Sequence, residues 1–217
     1  MKLKDLKKII PYKWKVQTIR KGNEPCCMCV AYIDARDVMD LLDEVCEPQN
    51  WSNDFKAVKN TMVGGIGIKC GAEWVWKWDA GDESNVEKKK GEVSDSLKRA
   101  GVEWGIGRFL YDLEIAEVPA KLWKEKYYPC DDKGSIMWGN KPLTEYINNK
   151  VKLEHSEKIW DYLMAKNNQD KDLAIGELRD FTGCEKFSQV PFDKFNEMMI
   201  TYKEEMEEFN RVTGSTP

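Results

Sequence analysis

The chain has 217 residues, of which 41% are hydrophobic and 33% charged, with a formal net charge of -4. This length suits one domain with a core and a smaller appendage, or two small domains, and the composition excludes wholesale disorder. The negative charge argues against a protein that coats nucleic acid with its whole surface, so any nucleic-acid site must be local.

The apolar runs and the cysteines of the sequence indicate the cellular compartment in which the protein is expected. The basic start lacks the apolar run of a signal peptide and no later segment predicts a membrane span, so we expect a cytoplasmic protein with no membrane partner. Seven scattered cysteines do not predict a disulfide framework there. Cys26, Cys27 and Cys29 lack a second cysteine pair at zinc-ligand spacing, so we expect a buried strand, with no metal and no cofactor.

Residues 1–21 form a basic arm with eight Lys or Arg against one acid. The arm is a subunit strap, a nucleic-acid tether or a solubilising tail, and its residues do not decide between them. A strand is predicted over residues 26–33, after which Asp34 is placed to cap a helix that runs to about Cys46.

Three strand-like runs follow at residues 51–59, 62–70 and 72–79, and their short connections predict an antiparallel meander. Trp74, Trp76 and Trp78 alternate with other residues, so the three indoles share one face. Burial of that face under a helix is favoured over base stacking, and the sequence leaves the choice open.

A long helix is predicted from about Val86, with an apolar stripe and two basic side chains that point away from it. The stripe consists of Val93, Leu97, Ala100 and Trp104, and the basic pair of Lys98 and Arg99. We therefore predict an α+β fold whose antiparallel β-β-β-α core is a curved sheet packed on a long helix. Gly105 and Gly107 indicate close backbone packing at the helix end and not a phosphate loop.

We expect the core with its basic arm to span residues 1–120, followed by a connection and hairpin over 121–150, with the hairpin near Asp131 and Gly134. Residues 151–217 predict a small C-terminal helical module, capped at Ser156. Its last helix has an acidic outer face formed by Glu204, Glu205, Glu207 and Glu208.

Three ordered blocks resemble the Rad52 superfamily, especially its bacterial and phage branch of DdrA and Sak proteins. The blocks are residues 13–17, residues 32–51, and residues 86–112, in which the string SDSLKRA is the most specific part. The resemblance implies a non-enzymatic protein that binds and anneals single-stranded DNA in homologous recombination and double-strand break repair. It also implies a homo-oligomeric ring or open arc, with DNA in an outer basic groove, and a bacterial host cell or bacteriophage as the source.

The resemblance also assigns DNA-binding residues. Lys98 and Arg99 match the pair that contacts the DNA backbone in the inner groove; without the resemblance they would be interpreted as a solvated helix face. A further family arginine is Val102 here, and Arg108 is the candidate to replace it. Arg36 lies within one position of the arginine on the family's first helix, and Lys69 matches a lysine of a second, outer DNA site.

Two other functions stay open. Asp34, Asp37 and Asp40, together with Asp79, Asp82 or Glu87, could hold two magnesium ions in a nuclease. We disfavour this because Asp34 is explained as a helix cap and no activating lysine or histidine accompanies the acids. The C-terminal helices could instead be an adaptor, or an added module, that recruits a single-strand-binding protein or an exonuclease.

Overall fold

A computed structural model describes residues 2–59, 61–81 and 88–213. The chain divides into two compact units, of which the first comprises Met1–Lys13 and Val30–Ile115 and the second Trp14–Cys29 and Ala116–Pro217. The strands are β1 Lys13–Arg20, β2 Cys26–Tyr32, β3 Trp51–Val58, β4 Thr61–Cys70, β5 Glu73–Ala80, β6 Ala116–Trp123 and β7 Lys126–Pro129. The helices are α1 Ala35–Cys46, α2 Lys88–Trp104, α3 Asn140–Lys166, α4 Lys171–Thr182 and α5 Phe192–Thr213. The predicted α+β class is confirmed.

Helix α1 begins where the sequence predicted. The Asp34 carboxylate accepts hydrogen bonds from the backbone N–H groups of Arg36 and Asp37, and the Asp37 carboxylate accepts one from the N–H of Asp34. This reciprocal box satisfies backbone donors that the first turn of a helix leaves without partners. Lys13 Nζ lies 2.7 Å from Asp34 Oδ2 and joins the same cluster.

The first unit contains the predicted β-β-β-α core. Strands β3, β4 and β5 form an antiparallel meander in which Ile68 pairs with Trp51 on one side and Val75 on the other. Ile66 and Ile68 are fully buried, and Leu97, Ala100 and Trp104 of α2 are buried as well. The Trp104 indole N–H donates to the carbonyl of Ile66 at 2.9 Å. The predicted start of α2 near Val86 lies outside the described residues.

The tryptophan row, which comprises Trp74, Trp76 and Trp78, lies on the face of this sheet opposite α2. A Cβ atom at Gly64 would meet Ser96 and Leu97 of α2, whereas one at Gly65 would meet the Trp78 ring. Because neighbouring strand residues point to opposite faces, the whole row lies on the Gly65 side. Burial of the row under a helix was therefore a wrong prediction, since α2 covers the other face.

Two glycines close the C-terminal end of α2, as predicted. Gly105 and Gly107 have φ values of 99° and 72°, in the left-handed region that side chains with a Cβ atom rarely adopt. A Cβ atom would lie 2.8 Å from Lys7 Cγ at Gly105 and 2.8 Å from Ile33 Cδ1 at Gly107. The interpretation of close backbone packing is confirmed.

The basic N-terminal segment is packed and not an extended arm. It begins with a short 3₁₀ helix, Leu3–Lys7, in which Leu6 is fully buried. Ile10 and Tyr12 are also buried, and Lys8 forms an ion pair with Glu44 of α1. Its apolar side chains therefore serve the core of the first unit, while the lysines remain at the surface.

The second unit contains a four-stranded sheet in the order β1-β2-β6-β7. Cys27 and Cys29 of β2 are fully buried, and burial raises the pKa of Cys27 to about 11 and that of Cys29 to about 12. This confirms the interpretation of a buried cysteine strand. The predicted hairpin near Asp131 is also confirmed, because Cys130 pairs with Ile136 and the N–H of Gly134 donates to the Asp131 carbonyl.

Helices α3, α4 and α5 pack through a shared apolar cluster. Its buried side chains include Ile159, Leu163, Leu178, Phe195 and Met198. The prediction that Ser156 caps a helix is wrong, because α3 already begins at Asn140 and the Ser156 hydroxyl donates back to the carbonyl of Leu153. Residue 151, the predicted start of the C-terminal module, therefore falls inside a continuous helix.

Candidate nucleic-acid interface

Helix α2 positions Lys98 and Arg99 between its buried stripe and solvent. Leu97 and Ala100 are buried on either side of the pair in sequence, so helical spacing turns the two cations outward. The Lys98 side chain is 27% exposed with Nζ 3.0 Å from Asp95, and the Arg99 side chain is 44% exposed with Nε 3.3 Å from Asp79. Such partly exposed ion pairs contribute about 1 kcal/mol or less, so a phosphate can compete for either cation.

Arg108 begins a 3₁₀ helix, Arg108–Asp112, that follows α2, whose last carbonyls lack partners within the helix. Its Nε donates to the carbonyl of Val102 at 2.8 Å and its Nη2 to that of Glu103 at 3.0 Å. Lys77 of β5 also donates to Glu103, at 2.7 Å, and lies 4.5 Å from the centre of the Trp104 ring. Both cations thus stabilise the negative end of the helix dipole, and Arg108 remains exposed with further N–H groups.

Arg36 lies in the first turn of α1, and its side chain is exposed. Helix α1 packs against α2 where Val38 meets Gly101, since a Cβ atom at Gly101 would lie 3.1 Å from Val38 Cγ1. Arg36 therefore lies on a helix that contacts the helix of Lys98 and Arg99, and Arg108 follows that second helix in a 3₁₀ turn.

Lys69 belongs to a different surface. It alternates with the buried Ile68 on β4 and pairs across the sheet with Trp74, so it points away from α2. The structure thus separates the predicted basic residues into two surfaces, with Lys98 and Arg99 on α2 and Lys69 beside the tryptophan row.

The carboxylates of the nuclease alternative have other roles. Asp34 and Asp37 form the capping box of α1, and Asp79 pairs with Arg99. Asp82 and Glu87 lie outside the described residues. In the part of the chain that the structure describes, no group of three or more His, Cys, Asp or Glu side chains could hold a metal ion.

Sequence reasoning missed two functional candidates on the sheet. Lys77 lies between Trp76 and Trp78 in β5. Because side chains alternate along a strand, Lys77 points to the opposite face of the sheet, which α2 covers. Lys56 of β3 lies with Nζ 3.7 Å from the centre of the Trp78 ring. The alternating glycines Gly65 and Gly67 were the available sequence signal for this face, since glycine in a strand often marks the close approach of another group.

A family model described as Rad52/22 family double-strand break repair protein matches residues 2–128. The chain belongs to the Rad52/22 family. The matched region contains Arg36, Lys69, Lys98, Arg99 and Arg108, and it ends before α3 begins.

This Rad52/22 member is also similar to two curated proteins. The single-stranded DNA-binding protein DdrA of Deinococcus deserti is 38% identical over 122 residues, which cover 52% of this chain and 60% of the relative. DdrA of Deinococcus radiodurans is 32% identical over 121 residues, which cover 52% of this chain and 58% of the relative. The chain thus spans about three fifths of the length of these relatives. No solved structure matches the chain.

Among the residues the structure describes, none of the helices combines the length and apolar character needed to traverse a bilayer.

Proposed function

We propose that the chain binds single-stranded DNA and anneals complementary strands in homologous recombination and double-strand break repair, without enzymatic activity. The observation that carries this proposal is the outward-facing Lys98 and Arg99 pair on α2, within a chain of the Rad52/22 family. Two relatives named as single-stranded DNA-binding proteins support the substrate.

The chemistry of the pair suits annealing. Phosphate contacts position a strand without reading its sequence, so the base edges stay available to a complement. Each neutralised phosphate releases counterions, and the affinity should fall with salt at a log-log slope of about -0.7 per contact. Arg36 and Arg108 extend this contact along α1 and the end of α2, and Lys69 serves a second DNA contact on the outer face of the sheet.

Oligomerisation is part of the proposed mechanism. One subunit offers few phosphate contacts and has a net charge of -4, so it would bind DNA weakly alone. Copies arranged side by side in a ring or open arc would join their basic surfaces into a continuous groove, and the affinity would multiply. We place the protein in the cytoplasm of a bacterial host cell, with a bacteriophage as the source.

The C-terminal helices are proposed to recruit a single-strand-binding protein or an exonuclease. Glu204, Glu207 and Glu208 of α5 are exposed, and carboxylates at such a surface repel a phosphate backbone. A protein partner with a basic surface suits this face better than DNA does.

Replacement of Lys98 and Arg99 by alanine tests the proposed function. We expect loss of annealing, much weaker binding of single-stranded oligonucleotides, and a salt slope less steep by about 1.4 if each side chain contacts one phosphate. Fluorescence anisotropy across a salt series measures both the affinity and the slope.

The matched control replaces Lys171 and Lys186, two exposed lysines of the C-terminal part, and changes the net charge by the same amount. It should bind as the unmodified protein does. Circular dichroism and light scattering check that both variants keep their fold and oligomeric mass. Unchanged binding by the Lys98 and Arg99 variant at moderate salt would refute the assignment of the groove.

A further inference from the structure

Two indoles of the tryptophan row lie flat against glycines of strand β4. Trp78 pairs across the strands with Gly65, and Trp76 with Gly67. A Cβ atom at Gly65 would lie 2.5–2.7 Å from three consecutive ring atoms of Trp78, and one at Gly67 would lie 2.5–2.8 Å from three of Trp76. Nearly equal distances to bonded ring atoms place each glycine beneath a ring face and not at a ring edge. The opposite faces of these indoles therefore point away from the sheet.

The three rings form an ordered platform that the fold does not need for packing α2. The ring centres of Trp74 and Trp76 are 6.4 Å apart with planes inclined by 30°, and those of Trp76 and Trp78 are 5.4 Å apart with planes inclined by 23°. Trp74 is 44% exposed. Side chains already ordered in the folded protein lose little further entropy when a ligand covers them. An apolar row of this kind on a surface marks a binding site.

Cations lie at both ends of the row. Lys56 Nζ is 3.7 Å from the centre of the Trp78 ring, and Lys69 is the exposed cross-strand partner of Trp74. Asp54 shares this face and lies 4.0 Å from Lys56. An apolar protein partner or a lipid tail would supply no anionic group for the two lysine ammonium groups. A single-stranded nucleic acid supplies phosphates for the lysines and flat bases for the rings.

We propose that the tryptophan row, flanked by Lys56 and Lys69, is a base-stacking surface for single-stranded nucleic acid. It rests on the proposed function and adds to it a contact of different chemistry, because Lys98 and Arg99 contact phosphates whereas the indoles contact bases. The two surfaces lie on opposite sides of the sheet. A strand on the tryptophan row would therefore be bound separately from a strand on α2.

The test compares two oligonucleotides of equal length, one of thymidine and one with an abasic sugar-phosphate backbone, bound by the full chain and followed by fluorescence anisotropy. Stacking on one indole favours the base-containing strand by about 5- to 160-fold. The variant Trp74→Leu should lower this preference by the factor that one indole supplies, and Trp74→Phe should keep most of it, because both side chains cover the sheet but only Phe has a ring face. Trp138→Leu, which removes an indole that is 58% exposed in the other unit, should leave it unchanged.

A second measurement needs no variant. Irradiation of the unmodified protein with an oligonucleotide that contains bromouracil should attach the base to the peptide containing residues 74–78, as read by mass spectrometry. Attachment at other sites alone would overturn the proposal, even if Trp74→Leu fails to fold.

The remaining outcomes separate this proposal from the proposed function. Equal affinity of the unmodified protein for both oligonucleotides would overturn base stacking and leave the phosphate groove intact. Loss of oligomeric mass in Trp74→Leu with an unchanged base preference would show a subunit interface instead and would also overturn it. No binding of either oligonucleotide at low salt would overturn both proposals.

Discussion

At the scale of single residues, Asp34 links helix capping to an ion pair. Lys13 donates a hydrogen bond to this carboxylate and, together with the backbone N–H groups of Arg36 and Asp37, holds the pKa of Asp34 below its ordinary value, although partial burial opposes this. A carboxyl with a lowered pKa contributes stability above its unfolded pKa, and the contribution is lost as the pH falls through the folded value.

Replacement of Asp34 by alanine should lower the free energy of unfolding by about 1 kcal/mol at neutral pH, because the first turn of α1 loses its cap. The loss should shrink as the pH falls below about 4, since the unmodified protein then loses the charged carboxylate as well. Urea denaturation at several pH values measures both effects. Asp34→Asn is the matched control, because an amide oxygen still caps the helix without the charge. Equal stability of Asp34→Ala and the unmodified protein would contradict the role of the cap.

At the scale of elements, strand β4 depends on glycine where two other elements approach it. A Cβ atom at Gly64 would lie 2.7 Å from Ser96 Oγ of α2, and one at Gly65 would lie 2.5 Å from the Trp78 ring. One strand thus admits a helix on one face and an indole on the other. This explains why β4 is rich in glycine although glycine weakens a strand.

We expect Gly65→Ala to destabilise the protein by about 1–3 kcal/mol, because the methyl group must displace a packed ring. Gly176→Ala offers the opposite case. Gly176 lies inside α4 and nothing lies within 4 Å of its added Cβ atom, so helix propensity should raise stability by about 0.5–1 kcal/mol. Urea titration of both variants gives the two values. A Gly65→Ala protein as stable as the unmodified one would show that Trp78 is not held against the strand.

At the scale of the whole molecule, α3 packs through its two halves against different partners. In the first half Leu143 and Ile147 are buried, the Thr144 hydroxyl accepts from the backbone N–H of Trp14, and Asn148 accepts from the Trp14 indole. In the second half Ile159 and Leu163 join the cluster shared with α4 and α5. The Rad52/22 match ends at residue 128, before either half.

A chain truncated after Lys150 should therefore fold and bind single-stranded DNA. The truncated chain keeps the buried side chains of the first half of α3. It loses the second half of α3 together with α4 and α5, which pack against that half, so little apolar surface is newly exposed. Circular dichroism, light scattering and anisotropy would measure fold, oligomeric mass and affinity. An insoluble or non-binding product would show that the helical cluster is needed by the DNA-binding part.

Local patterns in the sequence determined the elements and the family. Asp34 predicted the start of α1, strand-like runs with short connections predicted the three strands, and the stripe from Val93 to Trp104 predicted the buried side of α2. Each of these signals depends on neighbours in the chain, and so does the string SDSLKRA that pointed to Rad52. The order of these elements also predicted the β-β-β-α core.

Only the tertiary structure decided which face of the sheet α2 covers. Period-two alternation shows that Trp74, Trp76 and Trp78 share a face, but both faces of β4 and β5 carry apolar residues, and alternation does not say which one meets a helix. The choice follows from contacts distant in sequence, with Ser96 against Gly64 and Trp78 against Gly65. Because α2 covers one face, Lys69 lies on a different surface from Lys98 and Arg99, and no helix among the described residues of this unit covers the indoles.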